Sequence, residues 1–283
     1  MPAGARIGYR QWSDLTYTTP DRTTRRDAPA NGNGKVNDKT QTWKTSPPFD
    51  PREAIRFLTE ADPQLGELIG RSIEFQFEMD PLQSPYDALL EAIVYQSISG
   101  KAAKTIFERV KALSANGRPS PEEILRIRKP ALRRAGLSGA KVEAVKDLAR
   151  KTIEGIVPTL EEAHGMSDQE LVERLISVRG VGAWTVEMFL IFRLGRPDVL
   201  PIHDYGVLKG FALTYRKRRI PTPRELSKYG ERWRPYRTVA SWYMWRAVQL
   251  AGDGARKITK NSGKKKTVRK KRGRAATARR RRA

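Results

Sequence analysis

Asp204 ends the segment Asp198-Val199-Leu200-Pro201-Ile202-His203-Asp204, which reads as an extended loop leading into a helix. Asp is favoured at a helix N-cap, where its side-chain oxygen accepts an N–H of the first turn. The positive end of the helix dipole there favours an ionised carboxylate. Held next to a sugar C1′, such a carboxylate could stabilise an oxocarbenium-like transition state, the electrostatic task of glycosidic cleavage. Asp204 lies 22 residues past the second glycine of Val178-Arg179-Gly180-Val181-Gly182. Two glycines spaced by one apolar residue let the chain turn tightly and bring backbone N–H groups to the surface, with Val181 free to plug the gap between two helices. At a helix N-terminus those N–H groups make an anion site suited to a phosphate. Neither motif is specific by itself, because glycine serves many helix corners and Asp many caps.

These residues need a helical frame, and helix signals surround them. Leu171 to Ser177 and Ala183 to Leu194 read as the two helices of the corner, with Gly195 as a stop and Pro197 just beyond. Asp50-Pro51-Arg52-Glu53, Ser120-Pro121-Glu122-Glu123 and Thr222-Pro223-Arg224-Glu225 each place a capping oxygen first, Pro next and Glu third after the cap. Thr159/Glu162 and Ser167/Glu170 repeat the box without Pro, and Ser84-Pro85 opens another helix. Tyr86, Leu89, Leu90, Ile93 and Val94 form one apolar stripe, and Leu171, Leu175 and Ile176 another. Period-2 alternation is confined to the short stretch from Ile73 to Phe77. The pattern predicts one all-α domain over residues 47–254, built of roughly eight to ten helices.

Composition narrows the function classes. The 283 residues include no Cys, which excludes a disulfide scaffold, thiolate zinc sites and a Cys-ligated iron–sulfur cluster. Apolar runs such as Met188 to Phe192 fall far below the roughly 18 residues of a membrane span, and no secretory signal is evident. The expectation is a soluble intracellular protein, without membrane contact or small-molecule cofactor, acting as a monomer. The net charge is +24, but residues 255–283 alone carry 15 Lys and Arg and no acid. Residues 1–46 carry 8 basic and 4 acidic residues, leaving the middle at +5. A low-complexity basic run of that kind repels itself and buries nothing, so the tail is expected to be disordered. It would bind nucleic acid through phosphates with strong salt dependence, or act only as a solubilising tail. The arm 1–46 is read as mostly disordered, with no function assigned.

The stretch from Leu175 to Met188, followed by Leu200-Pro201-Ile202-His203-Asp204, resembles the hairpin, Gly/Pro-rich loop and Asp signature of helix-hairpin-helix DNA glycosylases. Within that superfamily it is most similar to the compact alkylation-repair form, 3-methyladenine DNA glycosylase II. Tyr95 to Lys104, Arg134 to Lys141 and Pro235 to Trp245 support the likeness, which spans roughly residues 50 to 250. The resemblance implies an all-α fold of two helical subdomains flanking an active-site cleft. It implies duplex DNA with alkylated bases as partner. It places the protein in the cytoplasm with the nucleoid if bacterial, in the nucleus if eukaryotic.

The resemblance also assigns roles. Asp204 becomes the catalytic carboxylate, stabilising the sugar cation and positioning water. Trp184 stands where strand-nicking glycosylases carry a Lys, so no Schiff base forms there and a monofunctional enzyme is expected. Trp184, Trp245, Met188 and Tyr95 map to the base pocket, whose indole faces would attract a cationic purine such as 3-methyladenine or 7-methylguanine. The base must be flipped out of the duplex, and Ile98 matches the apolar wedge that fills the gap. The amides of Gly180 and Gly182, with Val181 between them, would grip a phosphate, with a bound monovalent cation as one route and no other metal. Gln96, Ser99, Lys101 and Lys141 are candidate backbone contacts.

Two positions depart from the family pattern. His203 precedes the catalytic Asp where Asp or Ala is common, and Met188 replaces an aromatic found in some members. A His beside a carboxylate could orient it or face solvent. Two other readings stay open: a non-catalytic DNA-binding module, and a glycosylase for a neutral damaged base.

Overall fold

The computed structural model describes residues 47–75 and 84–252. The arm 1–46 and the basic tail 255–283 lie outside the described residues, as do the last two positions of the Ile73 to Phe77 stretch. All regular structure among the described residues is helical. In chain order the helices are α1 Pro51–Ala61, α2 Pro63–Gly70, α3 Pro85–Tyr95, α4 Gly100–Lys111, α5 Pro121–Arg126, α6 Lys129–Ala135 and α7 Gly139–Ile153. There follow α8 Leu160–Gly165, α9 Asp168–Leu175, α10 Ala183–Phe192, α11 Tyr205–Thr214 and α12 Pro223–Gly230, a short 3-10 turn Glu231–Trp233, and α13 over residues 237–252. This exceeds the expected eight to ten. Helices such as α5 and α8 have 6 residues each, too few apolar positions to show a period.

Local hydrogen bonds explain most of these starts. Reciprocal capping boxes form at Ser120/Glu123, Thr159/Glu162, Ser167/Glu170 and Thr222/Glu225. Asp50 accepts from the Arg52 amide, and Ser84 from that of Asp87. Gly195 ends the run after α10 in a left-handed conformation, φ +66°.

The helices sort into two groups. Helices α3 to α7 pack on one another. Helices α1 and α2, although first in the chain, pack against the C-terminal elements: α2 on α11, and α1 on the 3-10 turn. Asp62 knits this second group together. It caps α2 through the Leu65 amide, and its Oδ2 accepts from Tyr215 Oη at 2.6 Å and Trp233 Nε1 at 3.0 Å. At 2 % exposure this is a buried charge with its hydrogen bonds met. Helix α10 touches both α9 and α3.

Two devices position the end of the loop before α11. Thr238 Oγ1 donates to the Arg196 carbonyl at 2.6 Å and accepts from the Val199 amide at 3.0 Å. Arg237 holds Asp198 through its Nε at 2.7 Å. The second device is a close approach of backbones: a Cβ on Gly210 of α11 would lie 1.9 Å from the Met244 carbonyl oxygen of α13. Only a residue without a side chain lets those two helices touch there.

Candidate active site

Asp204 sits where α10, α11 and α13 meet. As N-cap of α11 it accepts from the Val207 amide through Oδ1 at 2.8 Å. Oδ1 also accepts from Trp245 Nε1, and Oδ2 from Trp184 Nε1, each at 2.8 Å. The carboxylate is 4 % exposed. Three N–H donors, drawn from three helices, thus converge on one anion, and such charge-assisted bonds are the strong ones. They lock the carboxylate in orientation, and among the described residues no salt bridge neutralises its charge.

The structure brings both expected tryptophans to Asp204, and they meet it by their N–H edges. Trp245 is 8 % exposed, and one face of its indole stacks on Phe192 at 5.8 Å. Trp184 is half-buried and packs against the core. Met188 is 1 % exposed and belongs to the core in this state. Tyr95 is also buried, its ring edge-on to Phe107 at 6.0 Å, and burial pushes its hydroxyl pKa up. His203 is exposed, next to a buried neighbour.

The corner between α9 and α10 is held from two sides. Gly180 has φ +80°, a conformation that favours glycine, and its carbonyl accepts from Gln96 Nε2 at 2.9 Å. The Arg179 amide donates to Asp147 Oδ2 of α7 at 2.8 Å. Lys151 reaches the Ser177 carbonyl as well. Val181 is buried, plugging the corner, and its amide bonds back to Val178 at 3.0 Å. Gly182 is different: it is exposed, its φ is −105°, and nothing lies within 4 Å of where its Cβ would be. No side chain caps α10, so its leading amides remain open to an anion.

The loop between α3 and α4 lies beside this corner. Gln96 is the C-cap of α3 and ties the loop to Gly180. Ser97 adopts φ +60°, uncommon for a non-glycine residue. Ile98 is half-buried and Ser99 caps α4 through the Ala102 amide. Lys101 is exposed. Lys141 is half-buried, donates to the Val94 carbonyl at 2.6 Å, and has its pKa lowered by that burial. Its ammonium therefore finishes the end of α3.

One acidic residue near Asp204 was missed by the sequence reading. Glu187 is the one ionisable residue in α10, whose sequence is otherwise Ala, Trp, Thr, Val, Met, Phe, Leu, Ile and Phe. Burial first, and then the charge of Asp204, push its carboxyl up to about 8. A lone carboxyl in an apolar helix was the available signal. Among the described residues no group of three or more His, Cys, Asp or Glu is arranged to hold a metal, and no helix is long and apolar enough to cross a membrane.

Among the described residues an all-helical frame thus carries a glycine corner and an Asp capping the helix beyond it. Residues 90–235 match the HhH-GPD superfamily of base excision DNA repair proteins. The chain is 42 % identical over 170 residues to DNA-3-methyladenine glycosylase 1 of Schizosaccharomyces pombe, covering 60 % of this chain and 75 % of that one. A solved 3-methyladenine DNA glycosylase of the same yeast, in complex with abasic DNA, is similar with a TM-score of 0.60 at 39 % identity, covering 70 % of this chain and 98 % of that one. A DNA-3-methyladenine glycosidase of Bacillus halodurans gives a TM-score of 0.65 at 32 % identity, covering 70 % and 91 %. The chain belongs to the HhH-GPD superfamily of base excision DNA repair proteins.

Proposed function

We propose that this protein removes alkylated, positively charged purines such as 3-methyladenine and 7-methylguanine from duplex DNA, with Asp204 as its catalytic carboxylate. It is a DNA-3-methyladenine glycosylase of the monofunctional type, acting in base excision repair on damaged duplex DNA. The observation that carries the mechanism is the buried Asp204 carboxylate, oriented by two indoles and one amide.

The chemistry follows from that arrangement. An alkylated purine carries a positive charge, so its N-glycosidic bond breaks with the electron pair leaving on the base. The base departs neutral and the sugar becomes an oxocarbenium-like cation. Asp204 stabilises that cation and orients the water that adds to C1′, the water's spare proton passing to solvent. Preorganised charge in a site shielded from water is the strongest kind of such help. Trp184 offers an indole where a Schiff-base enzyme needs an amine, so the product is an intact strand with an abasic site.

The other residues serve DNA positioning. Gly180, Val181 and Gly182 form the corner that receives a phosphate, through amides or a monovalent cation. Ile98 is the wedge, flanked by Gln96, Ser99 and Lys101. The Gln96 to Gly180 bond makes wedge loop and corner one rigid unit. Trp184, Trp245, Met188 and Tyr95 surround the recess for the flipped base; Met188 and Tyr95 are buried here and must be uncovered as the base enters.

Duplex DNA treated with a methylating agent tests the reading directly. Free 3-methyladenine and 7-methylguanine are expected on incubation with the protein, and borohydride is expected to trap no protein–DNA adduct. Absence of released base would leave only a DNA-binding module, and a strong trapped band would overturn the role given to Trp184. A second measurement isolates the corner. Because a Cβ at Gly182 meets nothing within 4 Å, Gly182→Ala should leave the melting temperature unchanged. The methyl group would stand where the phosphate approaches, so duplex affinity is expected to fall about tenfold, the scale of one lost charge-assisted bond. Unchanged affinity in a fluorescence-anisotropy titration would remove the phosphate from that corner.

A further inference from the structure

Glu187 has no part in the mechanism above, yet its position is costly. It lies three residues after Trp184 on α10, so the two side chains share a helix face. Its neighbours Val186, Met188, Phe189 and Leu190 are all buried. Its Oε2 is buried and has no hydrogen-bond partner among the described residues. A buried polar atom without a partner is unfavourable, and a carboxyl kept there suits a cationic partner that enters beside it.

The electrostatic surroundings indicate the sign of that ligand. The charged side chains of the elements around α10 include Asp87 and Glu91 on α3, Asp168, Glu170, Glu173 and Arg174 on α9, Lys209 on α11, and Arg237 and Arg246 on α13. Glu91 is taken up by Arg193 at 2.7 Å, Asp168 by Arg196 at 3.3 Å, and Arg237 by Asp198 at 2.7 Å. Among the charged groups of the described residues, Asp204 is the one that raises the proton affinity of Glu187, after burial. The two carboxyl groups therefore lie close enough to repel each other, and among the described residues no salt bridge to either is formed. Asp204 has three N–H donors, whereas Glu187 Oε2 has none. Near neutral pH burial and the Asp204 charge leave Glu187 protonated, its carboxyl being pushed up to about 8. A flat cation entering beside Trp184 would supply the missing partner and draw the carboxyl into its charged form.

We propose that Glu187 is a specificity-determining residue, a second acidic group that touches the flipped base and favours a positively charged purine over a neutral one. This rests on the glycosylase reading for its natural ligand, but the charge selection can be measured without base release. Tryptophan fluorescence follows binding of N-methylquinolinium, a flat aromatic cation, and of quinoline, its neutral counterpart, to the full chain at pH 8. The wild type is expected to bind the cation more tightly. Glu187→Gln keeps the shape and removes the charge, and should lower that preference about tenfold, the scale of a carboxylate–cation contact. A fall of less than threefold, or no preference in the wild type, overturns the proposal. In single-turnover assays on duplexes, Glu187→Gln should slow release of 7-methylguanine about tenfold and leave that of neutral hypoxanthine within threefold. Equal loss on both lesions would mark a merely structural residue and also overturn it. Wild-type protein that selects the cation yet releases no base would sink the glycosylase reading while leaving the charge selection standing. Should Glu187→Gln fail to fold, Glu187→Met, similar in length and suited to an apolar helix, carries the same comparison.

Discussion

Asp204→Asn should reduce single-turnover release of 7-methylguanine by about two to three orders of magnitude, the range seen when one preorganised electrostatic group is removed. The substitution keeps the shape of the side chain and its capping ability, since Asn is as good an N-cap as Asp. It removes the negative charge that the proposed mechanism sets against the sugar. It also spoils one of the three hydrogen bonds. If the amide oxygen keeps the Val207 amide and Trp245 Nε1, the new NH2 group points at Trp184 Nε1, and two donors confront each other. That conflict costs about 1–3 kcal/mol of stability. The melting temperature must therefore be recorded beside the rate. A variant that is folded at the assay temperature and still releases base at the wild-type rate would remove Asp204 from the mechanism.

Gly210→Ala carries the largest expected effect on stability. The added methyl would lie 1.9 Å from the Met244 carbonyl oxygen, 2.5 Å from its carbonyl carbon and 2.8 Å from its Cα. All three are backbone atoms, so no rotamer change relieves the clash. Helix α13 must move away from α11. Overpacking of this kind costs about 1–3 kcal/mol and sometimes more, and the severity here puts the cost at about 3 kcal/mol or above. For a domain of this size that is a fall in melting temperature on the order of 10 °C. Activity should fall as well, because Trp245 adjoins Met244 and its indole N–H would draw back from Asp204. Circular dichroism melts and single-turnover release on the same variant read both effects. A melting temperature within about 1 °C of wild type would show that the two backbones separate at no cost.

Both predictions concern the same junction from opposite directions. Asp204 supplies the charge, and Gly210 lets the helix carrying its indole partner come close. Stability and chemistry are thus linked through the α11–α13 contact. Of the two glycines of the corner, Gly180 answers to the fold, its φ of +80° being needed for the turn. Gly182 has an ordinary backbone and open space around it, so neither the turn nor the packing calls for glycine there, which accords with the phosphate approach proposed above.

Much of the frame was legible residue by residue. Ser120, Thr159, Ser167 and Thr222 announced helix starts because a capping box is a bond between residues three apart. Asp204 announced itself as an N-cap for the same reason. The short helices α5 and α8 escaped the periodicity count, although their caps were recognised, because 6 residues hold less than two turns. Lys141, a candidate DNA-backbone contact by sequence, donates instead to the Val94 carbonyl, 47 positions away.

By itself the sequence determined the helical class, the helix starts, the glycine corner, the place of Asp204 and the absence of an amine at Trp184, since each is a matter of residue type or of bonds within one helical turn. Only the tertiary structure decided that Trp184 and Trp245 turn their N–H edges to Asp204, that Gln96 is tied to Gly180 across 84 positions, and that Glu187 is buried within reach of the Asp204 charge. Those meetings depend on how closely helices pack, and packing distance is set by side-chain volume at contacts such as Gly210 against Met244, which no local pattern encodes.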